Sequence, residues 1–425
     1  MDSGATGEAT GGGLRRATLV RAGSVAGFGG FDGGEARPGA VLLDADGEVA
    51  AAGAADELER EFGGDVGRTE DRPGELLLPR MVNAHCHFEL TAIGPRPYTG
   101  SFTRWVTRLI EERPRDAGAV ARSVALGAAM SLAAGVEAVG DIGGARFGED
   151  AAWDALRDSA LVGVYFPELL AMDGERADAE LERLRALLEG PADTGGMRRG
   201  VSPHAPYSTG PAVYEAAARA AADHGVVVTT HLAETLDEQR FVAEAAGPFR
   251  EFLESRGLWA DRYARQYGSG RSPVRWMEPY LRRGRWVLAH CNYVDDDDIA
   301  LLAETGASVA YCPVASAYFG HRDHRYRDML AAGVNVGLGT DSIVCQPSGE
   351  EQPLGLLPQV RRLYRRDATD STLLLRMATE YGRSALGLDH APQRAAAAAF
   401  DPDDSTPAWT QVLRGTGPLR PVGAV

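Results

Sequence analysis

The chain has 425 residues, 44% hydrophobic and 24% charged, a soluble globular composition whose length calls for one large domain and a smaller companion. Its 44 cationic side chains are all arginine. The absence of lysine excludes Schiff-base lysine chemistry, phosphate-loop and kinase lysines, and a lysine carbamate bridging two metals. A net charge of −16 opposes nucleic-acid binding. The four cysteines, Cys86, Cys291, Cys312 and Cys345, are too scattered for a disulfide scaffold and form no C-x-x-C pair. No apolar run is long enough to span a membrane and none near the N-terminus reads as a secretory leader, so a cytoplasmic protein is expected.

Residues 1–13, rich in Gly, Ala, Ser and Thr, are expected to form a disordered tail. Residues 14–78 alternate short β-like pieces with turns, Asp46-Gly47 being a hairpin signal, and read as a small antiparallel β domain to which about 390–425 return. From 79 to 389, apolar runs alternate with Ala/Leu/Arg-rich helical stretches. The runs end at His85, Ile142, Leu169, His204, His231, His290, Pro313 and Asp341, and strand–helix units of that number fit an α/β (β/α)8 TIM barrel. The glycines from Gly27 fall short of a nucleotide-binding fingerprint and read as a turn. The aromatic-rich segment Phe241–Leu281 is expected as a lid or pocket wall. Asp295–Asp298 follows a strand and is expected to cap a helix.

Histidines stand at or near the ends of several of these runs. His85 and His87 end the first, His204 the fourth, His231 the fifth and His290 the sixth, while Asp341 closes the eighth. The C-terminal strand ends of such a barrel converge on one face, so these groups are expected to build a metal site. His85 and His87 are two apart on a strand and share a face, whereas Cys86 points away and is expected as a packed thiol. Glu234, three residues after His231, is placed to stand beside a metal-bound water as a proton shuttle without being a ligand.

The strings L-L-P-R-M-V-N-A-H-C-H-F-E-L, S-P-H-A-P-Y-S, T-H-L-A-E-T, L-A-H-C and L-G-T-D-S, in this order, resemble the amidohydrolase superfamily. Within it, the chain is similar to the branch holding cytosine, guanine, S-adenosylhomocysteine and aminofutalosine deaminases and triazine hydrolases. The resemblance spans about residues 17–400 and implies a TIM barrel with a small β-sandwich domain built mainly from the N-terminal segment. It also implies one divalent metal, Zn²⁺ or Fe²⁺, held by His85, His87, His231 and Asp341. Glu234 is then the general acid/base, His290 polarises the substrate or helps move protons, Asp341 shares in accepting the water proton, and His204 contacts substrate. Arg80 stands where the family usually has glycine and reads as a tolerated turn change. The seventh-strand motif, C-P-V-A-S-A-Y-F-G, and the closing H-A-P-Q-R-A-A-A-A-A-F-D depart further, the latter pointing to a reduced small domain.

F-E-L after the first motif, S-F-T-R-W and G-P-F-R-E-F-L look most like the aminofutalosine deaminase subgroup, with Glu89 and Trp105 helping to form a purine-nucleoside pocket. The expected reaction is hydrolytic deamination of an adenosine derivative such as aminodeoxyfutalosine. The alternatives are an amino- or chlorohydrolase of a triazine, pyrimidine or other N-heterocycle and, more remotely, a metal-free barrel that only binds. His321 and His324, in the loop after the seventh strand, are read as surface histidines ahead of substrate contacts. A small-molecule substrate is expected, with no nucleic acid or membrane partner, and the resemblance leans toward a homodimer.

Overall fold

Short apolar strands separated by polar turns build the N-terminal sheet: β1 (Thr18–Ala26), β2 (Glu35–Ala36), β3 (Gly39–Leu43), β4 (Val49–Ala54) and β5 (Arg68–Pro79). The structure, a computed structural model, describes residues 17–29, 34–64, 66–144, 146–190 and 196–423, so the tail at 1–13 lies outside it. β3 and β4 pair antiparallel across the Asp46-Gly47 turn. Gly47 takes φ +76°, and the Asp44 carboxylate accepts the Asp46 and Glu48 N–H groups at 2.9 Å. β1 pairs parallel with β5, so this sheet is mixed where antiparallel pairing alone was expected.

Past Arg80 come β6 (Met81–Cys86), β7 (Val136–Gly143), β8 (Val162–Leu169), β9 (Met197–Arg199) and β10 (Ser202–Pro203). They are followed by β11 (Val227–Leu232), β12 (Arg285–His290), β13 (Ser308–Tyr311) and β14 (Val336–Leu338). Every pairing among them is parallel. β6, β7 and β11 are buried along their whole length, which is why they read as nearly unbroken apolar runs. Each run read from the sequence contains a strand, β9 and β10 being two parts of the fourth. Helices such as Glu149–Arg157, Gly174–Glu189, Pro211–His224 and Asp296–Thr305 separate the strands. The helix at Asp296 opens on a capping box formed by Asp295 and Asp298, as the acidic run implied.

These strands pair in two groups, and single parallel bridges continue the pairing at the margins: Val201 with Val228, and Cys86 with Asp341. At the second bridge the N–H groups of Thr340 and Asp341 both donate to the His85 carbonyl at 3.0 Å, locking the eighth strand end against the first.

The chain then returns to the first sheet. β15 (Ala395–Ala399) pairs antiparallel with β5, and β16 (Arg420–Pro421) adds beside it, making one seven-stranded sheet. Arg80 is not in a turn: it lies fully buried between β5 and β6. Its Nε donates to the Ala395 carbonyl and its Nη2 to that of Val422, both at 3.1 Å, so one guanidinium ties the β5–β6 junction to the C-terminal strands. Burial pulls this guanidinium below its ordinary pKa. The buried Glu137 carboxylate accepts from the Arg383 guanidinium and from the Arg394 N–H, adding a second tie at this junction.

Candidate active site

The parallel strands deliver their C-terminal residues to one region. His85 lies in β6 and His87 just beyond it, His231 is in β11, His290 ends β12, and Asp341 follows β14. His87 Nε2 lies 3.3 Å from His231 Nε2 and 3.5 Å from Asp341 Oδ1, and His85 Nε2 is 4.0 Å from that same oxygen. His290 also reaches this cluster, its ligating atom grouping with those of His85 and Asp341. His231 Nδ1 faces the His204 carbonyl at 3.0 Å, and a carbonyl can only accept, so Nδ1 carries the proton and Nε2 presents a lone pair to His87. Both His85 ring nitrogens are buried without a hydrogen-bond partner among the described residues. Imidazole nitrogens turned toward each other and toward a carboxylate, with no protein donor between them, fit a divalent cation at their centre.

Electrostatics agree with that fit. Burial holds His231 neutral, at about 4, and pulls His85 and His87 well below the ordinary imidazole range, with neighbouring imidazoles adding to the effect. Burial likewise pushes Asp341 up to about 7. His290 and Asp341 adopt φ of +74° and +56°, conformations rare for such residues and concentrated at functional sites. Cys86 points away from the cluster, its Sγ 3.6 Å from Asp141 Oδ1, and is the packed thiol anticipated.

Glu234 stands beside this cluster, its Oε1 3.6 Å from His290 Nε2. Burial, reinforced by Asp341 and Glu238, raises its carboxyl well above the usual range. Its backbone is fixed from both sides. Glu238 accepts the N–H groups of Ala233 and Glu234 at 2.9 and 2.8 Å, and Asn292 Nδ2 donates to the Glu234 carbonyl at 3.0 Å. The Asn292 side chain is in turn held by Ser316 Oγ at 2.6 Å. None of these three supports was singled out from the sequence; Glu238 lies four residues past Glu234 on a helix start, a spacing that also suits an ordinary cap.

A cavity of about 390 Å³ opens over His87, Glu234, His290 and Asp341. His204 and Glu89 line it, as does Trp105, whose Nε1 donates to Tyr318 Oη at 3.1 Å. Glu89 is buried and accepts from Arg113 Nη2 at 2.8 Å. The Phe241–Leu281 segment supplies Phe252, Leu253 and Tyr263 to the wall, and Phe249 stacks on Tyr207 at 3.8 Å. His321 and His324 do not line this cavity. His324 Nε2 donates to the His290 carbonyl at 2.7 Å with its ring stacked on Tyr311, and His321 pairs with the Tyr293 hydroxyl at 2.6 Å. Glu168, at the end of β8, escaped sequence reading although it obeys the same strand-end rule; its Oε1 is 3.6 Å from His204 Nε2.

Residues 76–393 match the Amidohydrolase family. The chain belongs to the amidohydrolase family. This amidohydrolase is 32% identical over 312 residues to the 5-methylthioadenosine/S-adenosylhomocysteine deaminase of Symbiobacterium thermophilum, a match covering 71% of this chain and 64% of that protein, less than two thirds of its length. It is 30% identical over 372 residues to the aminodeoxyfutalosine deaminase of Deinococcus radiodurans, covering 84% of this chain and 83% of that one. Its fold matches the crystal structure of Helicobacter pylori aminofutalosine deaminase with a TM-score of 0.77 at 19% identity, over 95% of this chain and 97% of that one.

Proposed function

We infer that this amidohydrolase is a metal-dependent deaminase of a purine nucleoside-type substrate, aminodeoxyfutalosine or another adenosine derivative, releasing ammonia. The observation that carries the reading is the buried Glu234–His290 pair set beside the His85, His87, His231 and Asp341 cluster at the floor of a cavity large enough for a nucleoside. Similarity to deaminases named for adenosine-type substrates supports it. The eight parallel strand positions are read as closing into a (β/α)8 barrel over about 79–389, with 14–78 and 390–425 as the small β-sandwich domain, in a cytoplasmic enzyme.

His85, His87, His231 and Asp341 would hold the metal, Zn²⁺ suiting three imidazoles and one carboxylate. Bound there, it supplies an activated water to attack the amidine carbon. Glu234 takes a proton from the attacking water at its carboxylate and delivers it to the ring nitrogen. His290, 3.6 Å from Glu234, shares the next proton movement, so that nitrogen leaves as ammonia while a C=O replaces C–NH₂. His204 contacts the substrate beside the ring, and Trp105 with the Phe252–Tyr263 wall keeps water from the reacting carbon. Ammonia release measured over adenosine, 5′-deoxyadenosine, 5′-methylthioadenosine, S-adenosylhomocysteine, aminodeoxyfutalosine, cytosine, guanine and melamine tests the reading. Turnover of adenosine derivatives is expected, and turnover of cytosine or melamine alone overturns it.

A further inference from the structure

Glu168 is a carboxylate the deamination chemistry does not use. It lies at the end of β8, is 9% exposed, and lines the cavity two strand positions before Glu234, with the His204 strand between them. Among the described residues no side chain or N–H donates a hydrogen bond to its carboxylate, the Arg183 guanidinium reaching only its backbone carbonyl. His204 Nε2 stands 3.6 Å from its Oε1, beyond hydrogen-bond range. His204 cannot satisfy it either. The Ser208 hydroxyl donates to the Ala205 carbonyl at 3.1 Å, so His204 Nδ1 donates to Ser208 Oγ at 2.6 Å, and Nε2 of the neutral ring is left as an acceptor. Two acceptors therefore face each other across a gap at the cavity wall, open to donors from a bound molecule.

Crowding marks the same spot. A Cβ on Gly144 would collide with Glu168 Oε2 and lie 3.1 Å from Glu89 Oε1 and 3.3 Å from Arg113 Nη2, so a side chain there would displace the carboxylates. A second cation is a poor occupant even though Glu168, His204 and His231 cluster. His231 Nε2 already faces His87 Nε2 at 3.3 Å, and its Nδ1 is committed to the His204 carbonyl.

An adenine ring also fails to fill the need. Its only donor is the exocyclic amine, which must sit at Glu234 to be lost, and its remaining ring nitrogens are acceptors. Donors for this wall must come from the group attached to the ring. We propose that Glu168 and His204 Nε2 accept hydrogen bonds from the vicinal hydroxyls of a substrate ribose, which makes Glu168 the residue by which this chain selects ribonucleosides over bare heterocycles and deoxy analogues. This rests on the nucleoside reading above. The Arg113 guanidinium, held by Glu89, lies on the same side and can donate to a hydroxyl oxygen.

The test compares ammonia release from the best adenosine-type substrate with release from its 2′,3′-dideoxy counterpart, in the metal-loaded wild type and in Glu168→Gln. Wild type is expected to favour the ribonucleoside by about 10- to 100-fold in kcat/KM, the worth of one or two hydrogen bonds to a charged group. Glu168→Gln is expected to lose most of that preference, chiefly through a raised KM for the ribonucleoside. Equal wild-type rates, or a preference that survives in Glu168→Gln, overturns the subsite while the deaminase reading stands. Failure to deaminate any adenosine derivative overturns both. A Glu168→Gln protein purified with less metal than wild type also overturns the proposal, because the carboxylate would then be a ligand.

Discussion

Glu238 never reaches the cavity, yet the position of Glu234 depends on it. Its two oxygens accept the N–H groups of Ala233 and Glu234, and Ala233 sits at φ +51°, a conformation that a non-glycine residue keeps only when its surroundings hold it. Glu238→Gln preserves the shape but turns an NH₂ donor toward one backbone donor, so one charge-assisted bond is lost, worth about 1.5–3 kcal/mol. Asn292 still holds the Glu234 carbonyl, so the turn shifts rather than unravels. If the loss falls on the transition state, where Glu234 must meet the ring nitrogen, kcat drops about 10- to 100-fold at 1.36 kcal/mol per decade. KM and metal content should stay at wild-type values. Steady-state ammonia release, with metal analysis and a thermal melt on the same preparation, reads all three. A folded, metal-replete Glu238→Gln with kcat within about twofold of wild type would refute the idea that these two bonds place Glu234.

Glu234→Gln should keep its metal and lose turnover by about 10²- to 10⁴-fold, the usual worth of a proton-transferring group; an undiminished rate sinks the shuttle role. Chelation should lower the melting temperature and added Zn²⁺ restore it, because a ligand bound only by the folded state stabilises it; a melt indifferent to chelator speaks against the cluster as a metal site. Arg80→Ala leaves the Ala395 and Val422 carbonyls without their donor and should cost about 2–5 kcal/mol in chemical denaturation, against the near-zero change of a tolerated turn substitution. Burial holds His204 at about 4 and His324 at about 3, so both stay neutral in the fold while the unfolded chain takes up protons below about 6.5. Stability present at neutral pH should therefore fall as pH drops from about 6.5 toward 4, and a denaturation midpoint equal at pH 7 and pH 5 would contradict this.

What the sequence showed plainly was what periodicity and spacing encode. His85 and His87 are two apart at the end of a buried strand, and His231 and His290 end apolar runs, so their arrival at one cluster follows from strand geometry. Arg80 shows where that logic stops. A lone arginine between two strands reads as a surface turn, because its partners are carbonyls 315 and 342 residues away that no local pattern announces. His321 and His324 read as surface histidines ahead of substrate contacts, and the structure places both half-buried. Their closeness to a strand end admitted a role in substrate binding, yet His324 spends its proton on the His290 carbonyl, bracing a residue at φ +74° from behind. Glu168 was hidden for a subtler reason. A glutamate ending V-Y-F-P-E-L obeys the same strand-end rule as the histidines, but carboxylates at strand ends are common, and only its lack of donors within a closed wall sets it apart. Strand ends can be counted along a sequence, whereas the balance of donors and acceptors around a cavity belongs to residues that meet only in the fold.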